Sequence, residues 1–137
     1  MKNSLLLLTR FVVAVSGVVN LILSLIGLLA PSLINTLLWS PPFEPLPALW
    51  IRFAVTVGVM LALGAAYVLK QDNWMAAHTY LGMTGAMVAL QVIVTVSAAV
   101  TPPGAPTIAW VYVVLGLIYL PIVVWAWSQQ AAQARPA

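Results

Sequence analysis

The chain has 137 residues, 64% hydrophobic and 5% charged, with five Lys/Arg, two Asp/Glu, one His and no Cys. A soluble globular domain carries roughly 25% charged residues, so this composition excludes one and points to a single domain, residues 1–137, dissolved in lipid. A net charge of +3 spread along the chain makes no basic patch for nucleic acid. Lack of cysteine removes disulfides and thiolate chemistry, and one His with two acids cannot build a conventional zinc or di-iron site.

In chain order, Lys2 and Arg10 precede an apolar run from Phe11 to Ala30. At about twenty residues it exceeds a signal-peptide core, so a retained membrane helix is expected, stopped by Pro31. Ser32 to Trp39 reads as a short helix on the outer surface, with a plain extended connector as the alternative. A Pro-rich turn follows, from Ser40 to Pro47.

Three more spans are expected over residues 48–69, 74–100 and 107–128. Pro47 suits the first turn of the second span, where a missing N–H does no harm. Asp72 or Asn73 is placed to cap the third. At about 1.5 Å per residue, twenty residues cover a hydrocarbon core of roughly 30 Å. The expected fold is therefore all-α: an integral membrane four-helix antiparallel bundle with a short outer interfacial helix.

Basic residues set the orientation. With four spans, Lys2, Arg10, Lys70 and Arg135 share one side and only Arg52, beside Glu44, lies near the other. The positive-inside rule then places both termini in the cytoplasm of a cell (inner) membrane. The tryptophans agree: Trp39, Trp50 and Trp110 fall at the outer boundary, Trp74, Trp125 and Trp127 at the inner one.

Two sequence echoes suggest a parallel internal repeat. Ser40-Pro41-Pro42-x-x-Pro45 before Ala48 and Trp50 resembles Thr101-Pro102-Pro103-x-x-Pro106 before Ala109 and Trp110. Upstream, Ser16-Gly17 resembles Thr84-Gly85. Proline gathering in loops and Trp at interfaces gives the same echoes without a repeat.

Lipid tails are as apolar as leucine, so close backbone approach and polar contacts must join the helices. Ala54, Gly58, Ala62 and Ala66 form a groove of small residues on the second span. Ser16, Asn20, Ser24 and Gly27 make a small-and-polar stripe on the first. On the third, His78, Gly82, Gly85 and Ala89 share one face, and Thr84, Gln91 and Thr95 another.

Four residues are candidate ligand contacts. Arg52 lies a turn inside its span, where a charge is functional by default, although a long side chain near the end can snorkel. His78, on a face with Gly82 and Gly85, leaves room for a flat ligand such as a haem, another pigment or a quinone; an interfacial histidine is the plainer alternative. Asn20 and Gln91 are amides deep in apolar surroundings, and each needs a partner because an unsatisfied polar group is costly there. Both acids, Glu44 and Asp72, are in loops, and no catalytic constellation is visible, so an enzyme is not expected.

Thr9-Arg10 opening the first helix, "GLLAPSL" ending it and "WIRFAVTVGVMLALG" opening the second resemble the small bacterial membrane proteins of the DoxX-like kind. That resemblance covers nearly the whole chain and implies the four-helix layout. Some members resemble subunits of quinone-linked oxidoreductases, but no functional residues carry over.

The expected role is a non-catalytic accessory or structural subunit of a larger membrane complex, partnered by membrane lipids and other integral membrane subunits. The first alternative is a small binder or carrier of a hydrophobic ligand, quinone or lipid. The second is a pigment- or haem-binding subunit acting through His78. No resident cofactor is otherwise expected.

Overall fold

A computed structural model describes residues 4–38, 47–100, 104–105 and 107–134. The elements are five α-helices: α1 (Leu7–Leu29), α2 (Pro31–Leu38), α3 (Ala48–Gln71), α4 (Trp74–Ala99) and α5 (Thr107–Ala134). Four of them, α1, α3, α4 and α5, are long and apolar enough to cross a membrane, and α2 is the short connecting helix. Glu44, Trp39 and both Pro-rich loop echoes up to Pro45 and Pro103 lie outside the described residues.

Helix boundaries follow local chemistry. Pro31 opens α2 rather than merely ending α1, because its fixed φ and missing N–H suit a first helical position. Asp72 ends α3 in the left-handed conformation (φ 47°), its N–H donating to the Val68 carbonyl. Asn73 then caps α4, its Oδ1 accepting the Ala76 N–H at 2.9 Å. Pro121 lies inside α5 and leaves the Leu117 carbonyl without its usual donor.

The starts of α1 and α4 meet the ends of α3 and α5 at what we term the proximal end. The bundle is built as two hairpins, α1 with α3 and α4 with α5, and the pairing rests on small residues. A Cβ added to Gly17 would lie 2.6 Å from the Ala65 Cβ, one at Gly27 2.5 Å from Val55, and one at Gly58 would overlap the Ser24 hydroxyl. In the second hairpin, Gly116 faces Val92 and Val88, and Gly85 faces Val123.

These contacts repeat. Shifting α1 onto α4 so that Gly17 falls on Gly85 places Ser24 on Val92 and Asn20 on Val88. Shifting α3 onto α5 so that Ala65 falls on Val123 places Gly58 on Gly116. The Gly17–Ala65 approach thus matches Gly85–Val123, and the approach of Gly58 to Ser24 and the Asn20 carbonyl matches that of Gly116 to Val92 and Val88. Burial follows the same offset: buried Thr9, Val12, Val13, Ser16 and Gly27 on α1 correspond to buried Ala77, Tyr80, Leu81, Thr84 and Thr95 on α4. The two hairpins therefore repeat one packing scheme in parallel, carried by the Ser16-Gly17 and Thr84-Gly85 echo. Trp50 and Trp110 are two positions out of this register, so their likeness belongs to the interface.

The hairpins join in their proximal halves. One buried cluster there draws on all four long helices: Leu5, Val12 and Val13 with Ala65, Val68, Ala77, Tyr80, Leu81, Val123 and Ala126. Its members Ala65 and Val123 reach the level of Gly17 and Gly85.

Candidate functional site

The proximal end is tied by side chains reaching across helices. Leu6, the residue before α1, makes no side-chain cap hydrogen bond, and the amides leading into the helix take their acceptors from the ends of α3 and α5. Asp72 Oδ1 takes the Leu5 N–H at 3.1 Å, and Gln130 Oε1 takes the Leu6 N–H at 2.7 Å. Gln130 Nε2 donates to the Ser4 carbonyl at 3.2 Å and to Gln133. Arg10 forms an ion pair with Asp72 and donates from Nε to the Leu5 carbonyl. Carboxylates favour the positive start of a helix, which adds to this arrangement.

His78 is exposed beside this end. Its ring centroid is 4.2 Å from that of Trp127 and 5.3 Å from that of Trp74. The surface beside Gly82, expected to leave room for a flat ligand, holds the Trp127 indole at 3.5 Å from the position of an added Cβ, and Val123 lies against Gly85. Both glycines are helix-packing positions against α5. Among the described residues, no group of three His, Cys, Asp or Glu side chains gathers to hold a metal ion.

At the distal end, Arg52 is exposed and donates from Nε to the Leu28 carbonyl at 3.2 Å. The last four carbonyls of a helix lack intrahelical donors, and a cation there also complements the negative end of the helix dipole. Arg52 therefore caps α1. Glu44, its expected partner, is outside the described residues.

Halfway along the bundle four hydroxyls meet. Ser16 Oγ and Tyr80 OH share a hydrogen bond at 3.1 Å, as do Thr84 Oγ1 and Tyr119 OH, and Tyr119 OH reaches Ser16 Oγ at 3.5 Å. Thr84 also donates to the Tyr80 carbonyl at 3.0 Å. Ser16, Tyr80 and Thr84 are buried, and Gly64 of α3 lies against the Tyr80 ring. Of these bonds, those from Ser16 to Tyr80 and to Tyr119 join the two hairpins, and those of Thr84 lie within the second. Ser16 and Thr84 stand out in the sequence, and so does Tyr119, on a face of the fourth span with Tyr112 and Gly116; Tyr80 does not, and only the tertiary fold brings the four together.

Asn20 and Gln91 do not meet. Asn20 Nδ2 donates at 2.8 Å to the carbonyl of Ser16 in its own helix. Gln91 is exposed although it shares a helix face with buried Thr84 and Thr95, and no described residue is its hydrogen-bond partner.

The alanine groove also departs from expectation: Ala54 and Ala66 are exposed. At 3.6 residues per turn, a four-residue repeat drifts about 40° per step. The face that packs on α1 instead runs through Val55, Gly58, Ala62 and Ala65, the alternating three-and-four spacing that stays on one seam. Comparison with protein-family models, with curated proteins and with solved structures finds no match to this chain.

Proposed function

We propose that this protein is a non-catalytic accessory subunit that packs against the helices of other integral membrane proteins in a larger membrane complex. The observation that carries the reading is how little of the bundle is buried: 33% of the most apolar stretch of α1, 11% of α3, 17% of α4 and 22% of the fourth span. Four helices that hide so little of themselves offer most of their surface to lipid and neighbouring helices, as on the side of α5 where Val114, Leu115, Leu117, Ile118 and Val124 are all exposed. Its ionic and amide groups support the same reading, because they are engaged within the chain: Asp72 and Gln130 accept the amides leading into α1, Arg10 pairs with Asp72, and Arg52 donates to the end of α1.

The excess of basic residues at one end supports an inner-membrane placement with both termini cytoplasmic. For His78, packing between two indoles supports an interfacial anchor over axial ligation of a haem or other pigment. Affinity purification of the tagged chain from gently solubilised native membranes tests the assembly. Integral membrane proteins are expected in the same native-gel band. A chain that migrates alone from every mild detergent overturns the proposal.

A further inference from the structure

We infer that the two hairpins are rigid arms on a shared proximal base, that their distal halves part and close, and that Asn20 and Gln91 form the latch of the closed state. The divergence of the arms can be followed residue by residue from the turn that joins them. Asp72 and Asn73 are the whole link between α3 and α4, so residues equally far from that turn stand at one level. Steps of seven residues drift only about 20° around a helix and so keep to one face. Nearest the turn, Val68 and Ala77 both belong to the buried cluster. Seven residues further, Leu61 is half-buried and Thr84 buried. Seven further again, Ala54 and Gln91 are both exposed.

The seam inside each hairpin does not open in this way. Gly27 lies against Val55, and Gly116 against Val92, close to the distal end. Each hairpin is therefore held along its length, whereas the pair is held at the base. Among the described residues, the hydrogen bonds between hairpins run from Ser4, Leu6 and Ser16, and none lies distal to Ser16. Lipid tails are as apolar as the side chains of the parted walls, so exclusion from solvent does not fix the angle between them.

Polar pairing favours closure. Asn20 follows Ser16 by one turn, on the face of α1 whose Ser16 bonds Tyr80 of the other hairpin. One of its amide hydrogens goes to the Ser16 carbonyl, and its Oδ1 has no partner among the described residues. Gln91 has none for any of its donors and acceptors. In the repeat Asn20 corresponds to Val88, so Gln91 is three residues beyond its level, about 4.5 Å of rise, which a glutamine side chain spans. Amides left unpaired in hydrocarbon are costly. Closing the arms lets these two pair, and parting them leaves both unsatisfied.

The motion is independent of the accessory role, because it is read on the purified chain at one copy per nanodisc. The sequence has no Cys, so introduced thiols carry the only spin labels. Three exposed pairs report the arms: Phe11 with Thr79 near the base, Leu25 with Ile93 at the distal ends, and Leu25 with Val57 across the first hairpin's own seam. Double electron–electron resonance should give one narrow distance for the base and seam pairs and two populations for Leu25 with Ile93. Gln91→Leu and Asn20→Ala should each lower the ratio of the shorter to the longer population about threefold, the effect of losing an average side-chain hydrogen bond between membrane helices. Base and seam distances should not change. A single narrow Leu25–Ile93 distance in the wild type overturns the motion, and an unaltered ratio in both variants overturns the latch. A variant that misfolds betrays itself in the seam distance, and the other then gives the reading.

Discussion

Gln130 and Leu6 are 124 positions apart, and the Gln130 carbonyl oxygen nevertheless accepts the Leu6 N–H at 2.7 Å. The last turns of α5 thereby cap the first turn of α1, with Gln130 only 1% exposed. Gln130→Leu keeps the volume but strands the Leu6 amide and removes a donor from the Ser4 carbonyl. A buried group left without its partner costs about 1–3 kcal/mol, so a drop of that size in unfolding free energy is expected. Gln130→Glu retains the acceptor and buries a charge, and should be worse. Thermal unfolding in one detergent, followed by far-UV circular dichroism, ranks the two.

Asp72 combines three duties: it accepts Leu5 N–H, pairs with Arg10 and holds φ 47°. The ion pair is half-exposed, and such pairs contribute at most about 1 kcal/mol. Asp72→Asn keeps an acceptor and a side chain tolerant of left-handed backbone, and should be mild. Asp72→Gly loses the cap while easing the backbone, and Asp72→Ala loses the cap and strains it. The expected stability order is wild type, Asn, Gly, Ala. Ala above Gly would remove the backbone part of this account.

The hydroxyl junction lends itself to a double-mutant cycle. Ser16→Ala, Tyr80→Phe and their combination remove one hydrogen bond between the hairpins in a site with little water. Side-chain hydrogen bonds between membrane helices average about 0.6 kcal/mol, with a maximum near 1.7, and the coupling energy should fall within that range. Thr9 is the counter-example. Its hydroxyl is buried and has no partner, so Thr9→Val, which replaces it with a methyl of similar size, should leave stability unchanged or raise it. A loss above about 1 kcal/mol would indicate a bound water bridging Thr9 to its neighbours.

Hydropathy made the helices legible but not their ends or their seams. The first span begins at Leu7 rather than Phe11, because Arg10 sits inside the helix and folds back onto Asp72. The fourth continues to Ala134, past the apolar limit at Ser128, because Gln and Ala favour helix without being lipid-soluble. Nothing local distinguishes Gln130 from Gln129 or Gln133, since its burial depends on α1. Arg52, His78, Asn20 and Gln91 were visible as polar residues out of place. Their actual surroundings were not, because a linear pattern gives a residue's face but not what stands opposite. The repeat left its trace in the Ser-Gly and Thr-Gly pairs, where close backbone approach restricts the choice of residue.

The seam between α1 and α3 yields the sharpest test, because two alanines on the same helix turn should behave in opposite ways. Ala65 is 2% exposed and meets Gly17, whereas Ala66 and, three turns away, Ala54 are exposed. Gly17→Ala would place two methyl carbons 2.6 Å apart, and neither can rotate away. The helices must separate, and forcing extra volume into a packed interface costs about 1–3 kcal/mol. Ala65→Leu should cost at least as much. Ala54→Leu and Ala66→Leu add bulk outside the seam and should stay within about 0.5 kcal/mol of wild type. The second hairpin is looser at the matching place, since an added Cβ on Gly85 would sit 3.7 Å from Val123. Gly85→Ala should therefore be neutral or stabilising, because alanine favours helix over glycine by about 1 kcal/mol. If unfolding in detergent instead penalised Ala66→Leu as heavily as Ala65→Leu, α3 would be rotated from the position described, and the matched contacts of the two hairpins would no longer hold.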